Sequence, residues 1–167
     1  MNPTASGSPS NEILQQEIAI HAPATRVFAA LTDPRQRLQW WGDGQRFRLL
    51  GMDSDLRPGG PWEMRFTGMD GNPVSVRGEY REIDPPRVLS FTWLPGWQGD
   101  TTVSLVRFEL AESGGITTVR LTHSGLITEA SRASHRGWPF ILEWLRAYIE
   151  GGSAPTSAPD GAEPLRN

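Results

Sequence analysis

The sequence predicts an α+β fold in which a curved antiparallel sheet of about seven strands packs against one long C-terminal helix. Large apolar side chains alternate with polar ones in residues 62–66 and 89–93, which is the period of strands with one buried face. In residues 138–149, apolar side chains instead recur at helical spacing, which predicts an amphipathic helix. Such a helix can cover the aromatic face of the sheet and leave a cavity between the two elements.

A strand and two short helices are predicted before the central sheet. Leu14, Ile18 and Ile20 mark a first strand with Gln15 and Glu17 outward, and residues 24–31 carry apolar side chains on one helical face. Asp33 followed by Pro34 is an N-cap signal that begins a second short helix. Gly42 follows two tryptophans and acts as the stop of that helix.

Six further strands are predicted, separated by turns rich in glycine and proline. The turn signals include Asp70-Gly71-Asn72 and Ser113-Gly114-Gly115. Pro139 lacks a backbone donor, so we expect it to lie in a first turn of the last helix or to kink the helix there, with irregular helix before it from near Thr128. The strands are expected at about residues 46–52, 62–66, 74–82, 87–93, 102–110 and 116–123.

The length of 167 residues suits one domain, which we place at residues 12–150. Residues 1–11 and 151–167 are rich in Ser, Pro, Gly and Ala and are expected to be disordered.

Composition excludes several classes of function. The chain has no cysteine, and all 16 basic residues are arginine, so thiolate nucleophiles, Cys-based metal sites and lysine Schiff bases are ruled out. A net charge of −3 argues against a nucleic-acid partner. With no long apolar run, a membrane span is not expected, and neither is a cofactor; we expect a cytoplasmic protein.

Four segments give the chain a resemblance to a known family. In order they are LTDPRQRLQWWG, LRPGGPWEMRF, GEYREIDPPRVLSFTW and HRGWPFILEWLRAYIE, and together they cover the chain from about Ile13 to Glu150. This series resembles the bacterial single-domain proteins of the activator of heat-shock protein 90 ATPase homologue-like family, in the START-like (SRPBCC) superfamily. The resemblance implies the helix-grip fold, a curved sheet around the C-terminal helix with a hydrophobic cavity between them.

The resemblance leaves the activity open, because the superfamily includes lipid carriers, hormone-binding plant proteins and polyketide cyclases. The chaperone activator itself has a separate N-terminal domain that docks on its partner. Since too few residues precede Ile13 for such a domain, stimulation of a chaperone ATPase is not expected here.

A ligand cavity is the first functional interpretation of the apolar residues, because aromatic walls with polar N–H groups suit a planar or apolar molecule. The alternative is that most of them simply fill the core. Trp97 lies in a Pro-Gly loop without periodic partners, which favours a place at the cavity rim. The candidate cavity residues are Trp41, Trp62, Met64, Phe66, Tyr80, Phe91, Trp93, Trp97, Phe108, His123, Trp138, Ile141, Leu142 and Leu145.

Catalysis is a second interpretation, and it would require polar groups that point inward. His123 ends a strand in an inward register and could act as acid, base or donor, although a hydrogen-bonded histidine at a strand end is the commoner case. Asp53 and Tyr80 are the other first candidates. We assign no catalytic residue, because the sequence has no Gly-x-Ser-x-Gly elbow, and no metal site, because the histidines lack metal-ligand spacing.

Charged residues on the strands are expected to face solvent. An arginine turned inward would be far more informative, because a buried guanidinium needs a carboxylate ligand. The acidic residues near Asp53 and Asp70 lack the pattern of a calcium loop, so they indicate a solvated surface. Outward arginines at positions Arg65, Arg77, Arg81, Arg107 and Arg120 are expected to pair across strands with Glu63, Glu79 and Glu109.

Taken together, the residues and the resemblance favour a protein that binds a small hydrophobic or aromatic molecule between the sheet and the C-terminal helix. A polyketide cyclase-like or other proton-transfer enzyme on the same cavity is one alternative. A chaperone or partner-interaction module is another. The sequence is compatible with a monomer or a homodimer.

Overall fold

The computed structural model describes residues 13–42, 48–67, 71–96, 103–126, 132 and 135–151. The predictions for Trp97, for a helix start near Thr128 and for disorder in residues 1–11 and 152–167 fall outside these residues. Gly151, which the sequence places in the disordered tail, is the last residue of the C-terminal helix.

The sheet has seven strands, and three helices are described. The helices are α1 (Ala24–Thr32), α2 (Pro34–Trp40) and α3 (Trp138–Gly151). The strands are β1 (Leu14–Ile20), β2 (Arg48–Ser54), β3 (Pro61–Thr67), β4 (Pro73–Asp84), β5 (Val88–Pro95), β6 (Ser104–Ser113) and β7 (Ile116–Ser124).

All neighbouring strands are antiparallel, in the order β1-β7-β6-β5-β4-β3-β2. Strands β2 to β7 therefore form one continuous meander, and β1 joins it beside the last strand. The predicted α+β helix-grip architecture is confirmed, with two short helices after the first strand and the C-terminal helix on the sheet.

One face of the sheet forms the core, as the alternation predicts. In β3, Trp62, Met64 and Phe66 are buried while Arg65 is exposed. In β5, Ser90 departs from the alternation, because it is buried like its neighbours Leu89 and Phe91. A register shift in β4 between Tyr80 and Glu82 accounts for it, since the displaced amide of Glu82 donates to Ser90 Oγ at 3.1 Å.

The two short helices begin and end where their sequence signals place them. The Asp33 carboxylate accepts a hydrogen bond from the amide of Arg35 at 3.0 Å, with Pro34 in the first turn of α2. After α2, Gly42 has a φ of 120°, a value that a residue with a side chain rarely adopts. In α3, Pro139 occupies the first turn, where no intrahelical donor is needed.

Helix α3 packs its apolar face on the inner side of the sheet. Trp138 contacts Trp93 and Phe108, with ring centroids 5.4 and 6.4 Å apart. Ile141, Leu142 and Leu145 are buried on the same helical face. No helix in the described part of the chain is long and apolar enough to cross a membrane.

Three of the outward arginines form ion pairs on the outer face of the sheet, but their partners on other strands are Asp53, Glu82 and Glu17, and the expected Glu63 and Glu109 pair within their own strands. Arg65 contacts the carboxylates of Asp53 and Glu63 at 2.8 and 2.9 Å. Arg120 contacts Glu17 at 2.8 Å. Arg107 pairs with Glu82 and also with Glu109. These pairs are exposed, so each contributes little to stability.

Candidate functional site

The inner face of the sheet has two aromatic regions, one beneath α3 and one beneath α2. The first, which we call the His123 cluster, consists of Trp93, Ser104, His123, His135 and Trp138. The second, the Arg37 cluster, consists of Arg37, Trp41, Met52, Trp62, Met64, Tyr80 and Phe91.

Ring nitrogens in the His123 cluster are paired with one another. Trp138 Nε1 donates to His123 Nδ1 at 3.0 Å, and Trp93 Nε1 donates to His135 Nε2 at 2.9 Å. The indole can only donate, so His123 Nδ1 is an acceptor and its Nε2 carries the proton. That nitrogen lies 2.7 Å from Ser104 Oγ, to which it donates.

The His123 ring is held neutral by its surroundings. Burial lowers the pKa of His123 well below its ordinary value, and the neighbouring His135, with ring centroids 4.7 Å apart, lowers it further. Both nitrogens are occupied in a buried network, so His123 has the features of a structural histidine.

The catalytic candidates have separate partners. Tyr80 is buried, and its hydroxyl lies 2.7 Å from Ser54 Oγ. The Asp53 carboxylate is exposed and pairs with Arg65 on the outer face of the sheet. His123 belongs to its own cluster beneath α3. The structure therefore does not bring His123, Asp53 and Tyr80 together as an acid–base set.

A narrow cavity, too small for a water-sized sphere, lies beneath α2. Its lining consists of Arg37, Met52, Trp62, Tyr80 and Phe91, which places it between α2 and strands β2 to β5. No residue of α3 lines it, because the space beneath α3 is filled by Trp138 and the rings packed on it. A water-sized sphere does not fit in this cavity as the side chains stand.

Arg37 is the functional candidate that sequence reasoning missed. It is 3% exposed, although it lies in the short polar helix α2. Its position three residues before Trp40 and four before Trp41 was an available signal, since such residues share one helical face. Both tryptophans are buried, whereas Leu38 on the other side of the helix is 41% exposed.

The Arg37 guanidinium is held by one strong and several weak contacts. Nη2 donates to the carbonyl of Leu31 at 2.5 Å, and Nη1 donates to the thioether of Met64 at 3.2 Å. The charge also lies over the ring of Trp41, 5.0 Å from the centroid. The Leu31 carbonyl is one of the unpaired acceptors at the C-terminal end of α1, so this bond caps that helix.

Retaining a charge at this position is unfavourable for the fold. Burial lowers the pKa of Arg37 to about 10, and no ion pair with a carboxylate is found among the described residues. Because one pKa unit corresponds to about 1.4 kcal/mol, the buried charge destabilises the fold by about 3 kcal/mol. The group is still protonated at neutral pH.

Several N–H groups of the Arg37 cluster are buried without an acceptor. They are Arg37 Nε, Trp62 Nε1 and Trp41 Nε1, and two of these residues line the cavity. Because a water-sized sphere does not fit there, solvent cannot satisfy the groups that line it. A buried donor without a partner destabilises a fold by about 1–3 kcal/mol, so this concentration of donors is unusual.

A surface groove lies outside the core, on the outer face of the sheet. It measures about 560 Å³. Its lining includes Asp53, Glu63, Arg77, Glu79 and Arg81, which are charged side chains of the outer face. Pro61, Trp62, Leu94 and Val103 also line it, so its walls combine charged and apolar side chains.

The remaining predicted cavity residues divide between the two regions. Trp62, Tyr80 and Phe91 line the cavity, while Trp41 and Met64 contact the guanidinium of Arg37. Trp97 lies outside the described residues. The others are buried in the core: Phe66, Trp93, Phe108, His123, Trp138, Ile141, Leu142 and Leu145. In the described part of the chain, no group of acidic or histidine side chains could hold a metal ion.

The fold and its aromatic interior define an α+β protein of the helix-grip class. A family model described as Activator of Hsp90 ATPase homolog 1-like protein matches residues 21–150. The chain belongs to this family. A comparison with proteins of curated function finds no match.

Solved structures of low sequence identity share the fold. Protein Ms6760 from Mycobacterium smegmatis is 24% identical with a TM-score of 0.71, over 86% of this chain and 91% of that one. Protein CV1439 from Chromobacterium violaceum is 23% identical with a TM-score of 0.71, over 84% and 98%. DynU16, a protein of the dynemicin biosynthetic locus, is 22% identical with a TM-score of 0.69, over 86% and 49%.

Proposed function

We propose that this protein binds a small, mainly apolar molecule in the interior between α2 and the sheet. The observation that carries the proposal is the cavity lined by Trp62, Tyr80 and Phe91, with buried N–H groups that lack acceptors. Apolar walls with a few polar groups are the usual features of a small-molecule site. The His123 cluster, by contrast, is closely packed and its ring nitrogens are paired.

Binding requires the cavity to widen, and its walls include a side chain suited to that change. Met52 lines the cavity and is half-buried, so it lies between the interior and solvent. Methionine has three rotatable bonds and adapts its shape readily. We therefore place the entrance at Met52, on β2, which is one of the two edge strands of the described sheet.

Native mass spectrometry of the freshly purified protein tests the proposal directly. We expect a co-purified small molecule, and we expect it to be displaced when the neutral dye Nile red is taken up. Repeated absence of an adduct, together with no uptake of the dye, would contradict the proposal.

A matched pair of variants locates the site. Met52→Trp fills the proposed entrance, and Leu50→Trp adds the same ring on the same strand at a position that is 49% exposed. Dye affinity should fall about tenfold or more in the first variant, because a filled pocket loses contact area, and stay unchanged in the second. Equal behaviour of the two variants would place the site elsewhere.

A catalytic role gains no support from the described residues, because the three acid–base candidates are not brought together. The chaperone activity in the family's name is likewise not extended to this chain. A pull-down with the chaperone at micromolar concentration would test it.

A further inference from the structure

We propose that Arg37 recognises an anionic group, and that the ligand of the cavity is a small apolar carboxylate. This inference rests on the proposed ligand binding and adds the chemical class of the ligand. It begins from the position of Arg37, a guanidinium inside an apolar core and beside a cavity.

The polar groups of the Arg37 cluster that lack partners are all of one kind. Arg37 Nε, Trp62 Nε1 and Trp41 Nε1 are N–H donors. A ligand that satisfies them must therefore bring acceptors. A neutral hydrocarbon would leave every one of these donors buried and unpaired, which is unfavourable.

The positive charge of Arg37 favours an anionic acceptor over a neutral one. Arginine presents five N–H groups in a planar fork that matches the two oxygens of a carboxylate. Of the acceptors that Arg37 has now, the Leu31 carbonyl is a good one and the Met64 thioether is a weak one. A carboxylate oxygen can accept from Nε, whose N–H has no partner, and the carboxylate supplies the counter-charge that the described residues do not.

The remaining walls determine the rest of the ligand. Phe91, Tyr80 and Trp62 offer ring faces and edges, and Trp62 packs edge-on against Phe91 with centroids 5.2 Å apart. These surfaces suit an aromatic or short aliphatic body. Met52 and Met64 are the flexible side chains that must move to admit it.

Two isosteric probes test the charge preference in the unmodified protein. Phenylacetate and phenylacetamide have the same shape, but only the first is anionic. By isothermal titration calorimetry, the carboxylate should bind at least about tenfold more tightly, because hydrogen bonds to charged groups are the stronger ones. Equal affinities would overturn the assignment of a carboxylate and leave the apolar binding in place.

Variants assign the preference to Arg37. Arg37→Met should abolish the difference between the two probes while uptake of Nile red persists. Arg65→Met removes the same charge from the exposed outer face and should keep the difference. A preference that survives Arg37→Met would overturn the role of Arg37.

NMR observation of the Arg37 Nε–H group is a direct test that does not depend on how well Arg37→Met folds. The Arg37 Nε–H resonance is identified in NMR spectra by its absence from Arg37→Lys. It should move on addition of phenylacetate and stay in place with phenylacetamide. Binding of phenylacetate without this shift would contradict the proposal. If neither probe nor Nile red binds, this inference and the proposed function both fail.

Discussion

The regions beneath α3 and beneath α2 are similarly aromatic, yet they differ in how their polar atoms are paired. In the His123 cluster, the indole of Trp138 donates to His123 and that of Trp93 donates to His135. In the Arg37 cluster, the indoles of Trp41 and Trp62 have no acceptor. Side-chain type alone therefore does not distinguish a packed region from a candidate binding site.

The unfavourable interactions of the core are concentrated in the region beneath α2. Paired ring nitrogens fix the position of α3 on the sheet and leave no group available for a ligand. Unpaired donors and a buried charge destabilise the region beneath α2, and such local unfavourable features concentrate at functional sites. The comparison can be tested by substitutions centred in one region or the other.

The largest effect is expected in the packed region. Trp138→Ala removes a ring that contacts Trp93, Phe108 and His123. The free energy of unfolding, measured by denaturant titration, should fall by about 3–5 kcal/mol. A fully stable variant would show that this region is not close-packed.

Paired and unpaired indoles should respond differently to the same substitution. Trp138→Phe leaves His123 Nδ1 without its donor, whereas Trp62→Phe removes an N–H that has no partner. Beyond the similar loss of ring volume, we expect the first variant to be about 1–3 kcal/mol less stable than the second in denaturant titrations. Equal stabilities would remove the distinction between the two regions.

Removing the buried charge should stabilise the ligand-free protein. Arg37→Met eliminates the unfavourable burial of the guanidinium and leaves the Leu31 carbonyl without its cap. The net gain should be about 1–2 kcal/mol in thermal or denaturant unfolding. Arg65→Met, on the surface, should change stability by less. A clear loss of stability in Arg37→Met would show that capping α1 is the main role of the residue.

The smallest effect concerns pH and the His123 cluster. Burial and the neighbouring His135 lower the pKa of His123 in the folded state, while the unfolded chain has the ordinary value of about 6.5. The neutral ring therefore stabilises the fold above pH 6.5, and this contribution is lost as the pH falls below that value.

The melting temperature should accordingly fall between pH 7 and pH 5, and the fall should be smaller in His123→Asn. This variant keeps an acceptor near Nδ1 and cannot gain a proton in that range. The same pH dependence in both proteins would assign the effect to other groups.

Much of the fold was accessible from side-chain alternation. The pattern of Trp62, Met64 and Phe66 identified the buried face of β3, because a strand turns successive side chains to opposite sides. The helical spacing after Trp138 identified the face of α3 in the same way. These signals are local, so they can be interpreted from the sequence without knowledge of the tertiary structure.

The site was less accessible, because it depends on contacts between distant segments. Arg37 meets Met64 across 27 positions of the chain, and Trp93 meets His135 across 42. Neither spacing follows a period. The polar character of α2 also argued against burial of Arg37. Only Trp40 and Trp41, three and four residues after it, indicated which face of the helix points inward. Trp138 and the rings packed on it lie beneath α3, and the lining of the cavity beneath α2 includes no residue of α3.

The position of β1 has a consequence for how the chain is made. Its neighbour in the described sheet is β7, and the ion pair between Glu17 and Arg120 spans 103 positions. During synthesis β1 leaves the ribosome before the other strands of the sheet. Its backbone hydrogen-bonding groups therefore have no partner strand until β7, near the end of the domain, has also emerged. An edge strand that carries a charged side chain such as Glu17 is less prone to pair with another chain.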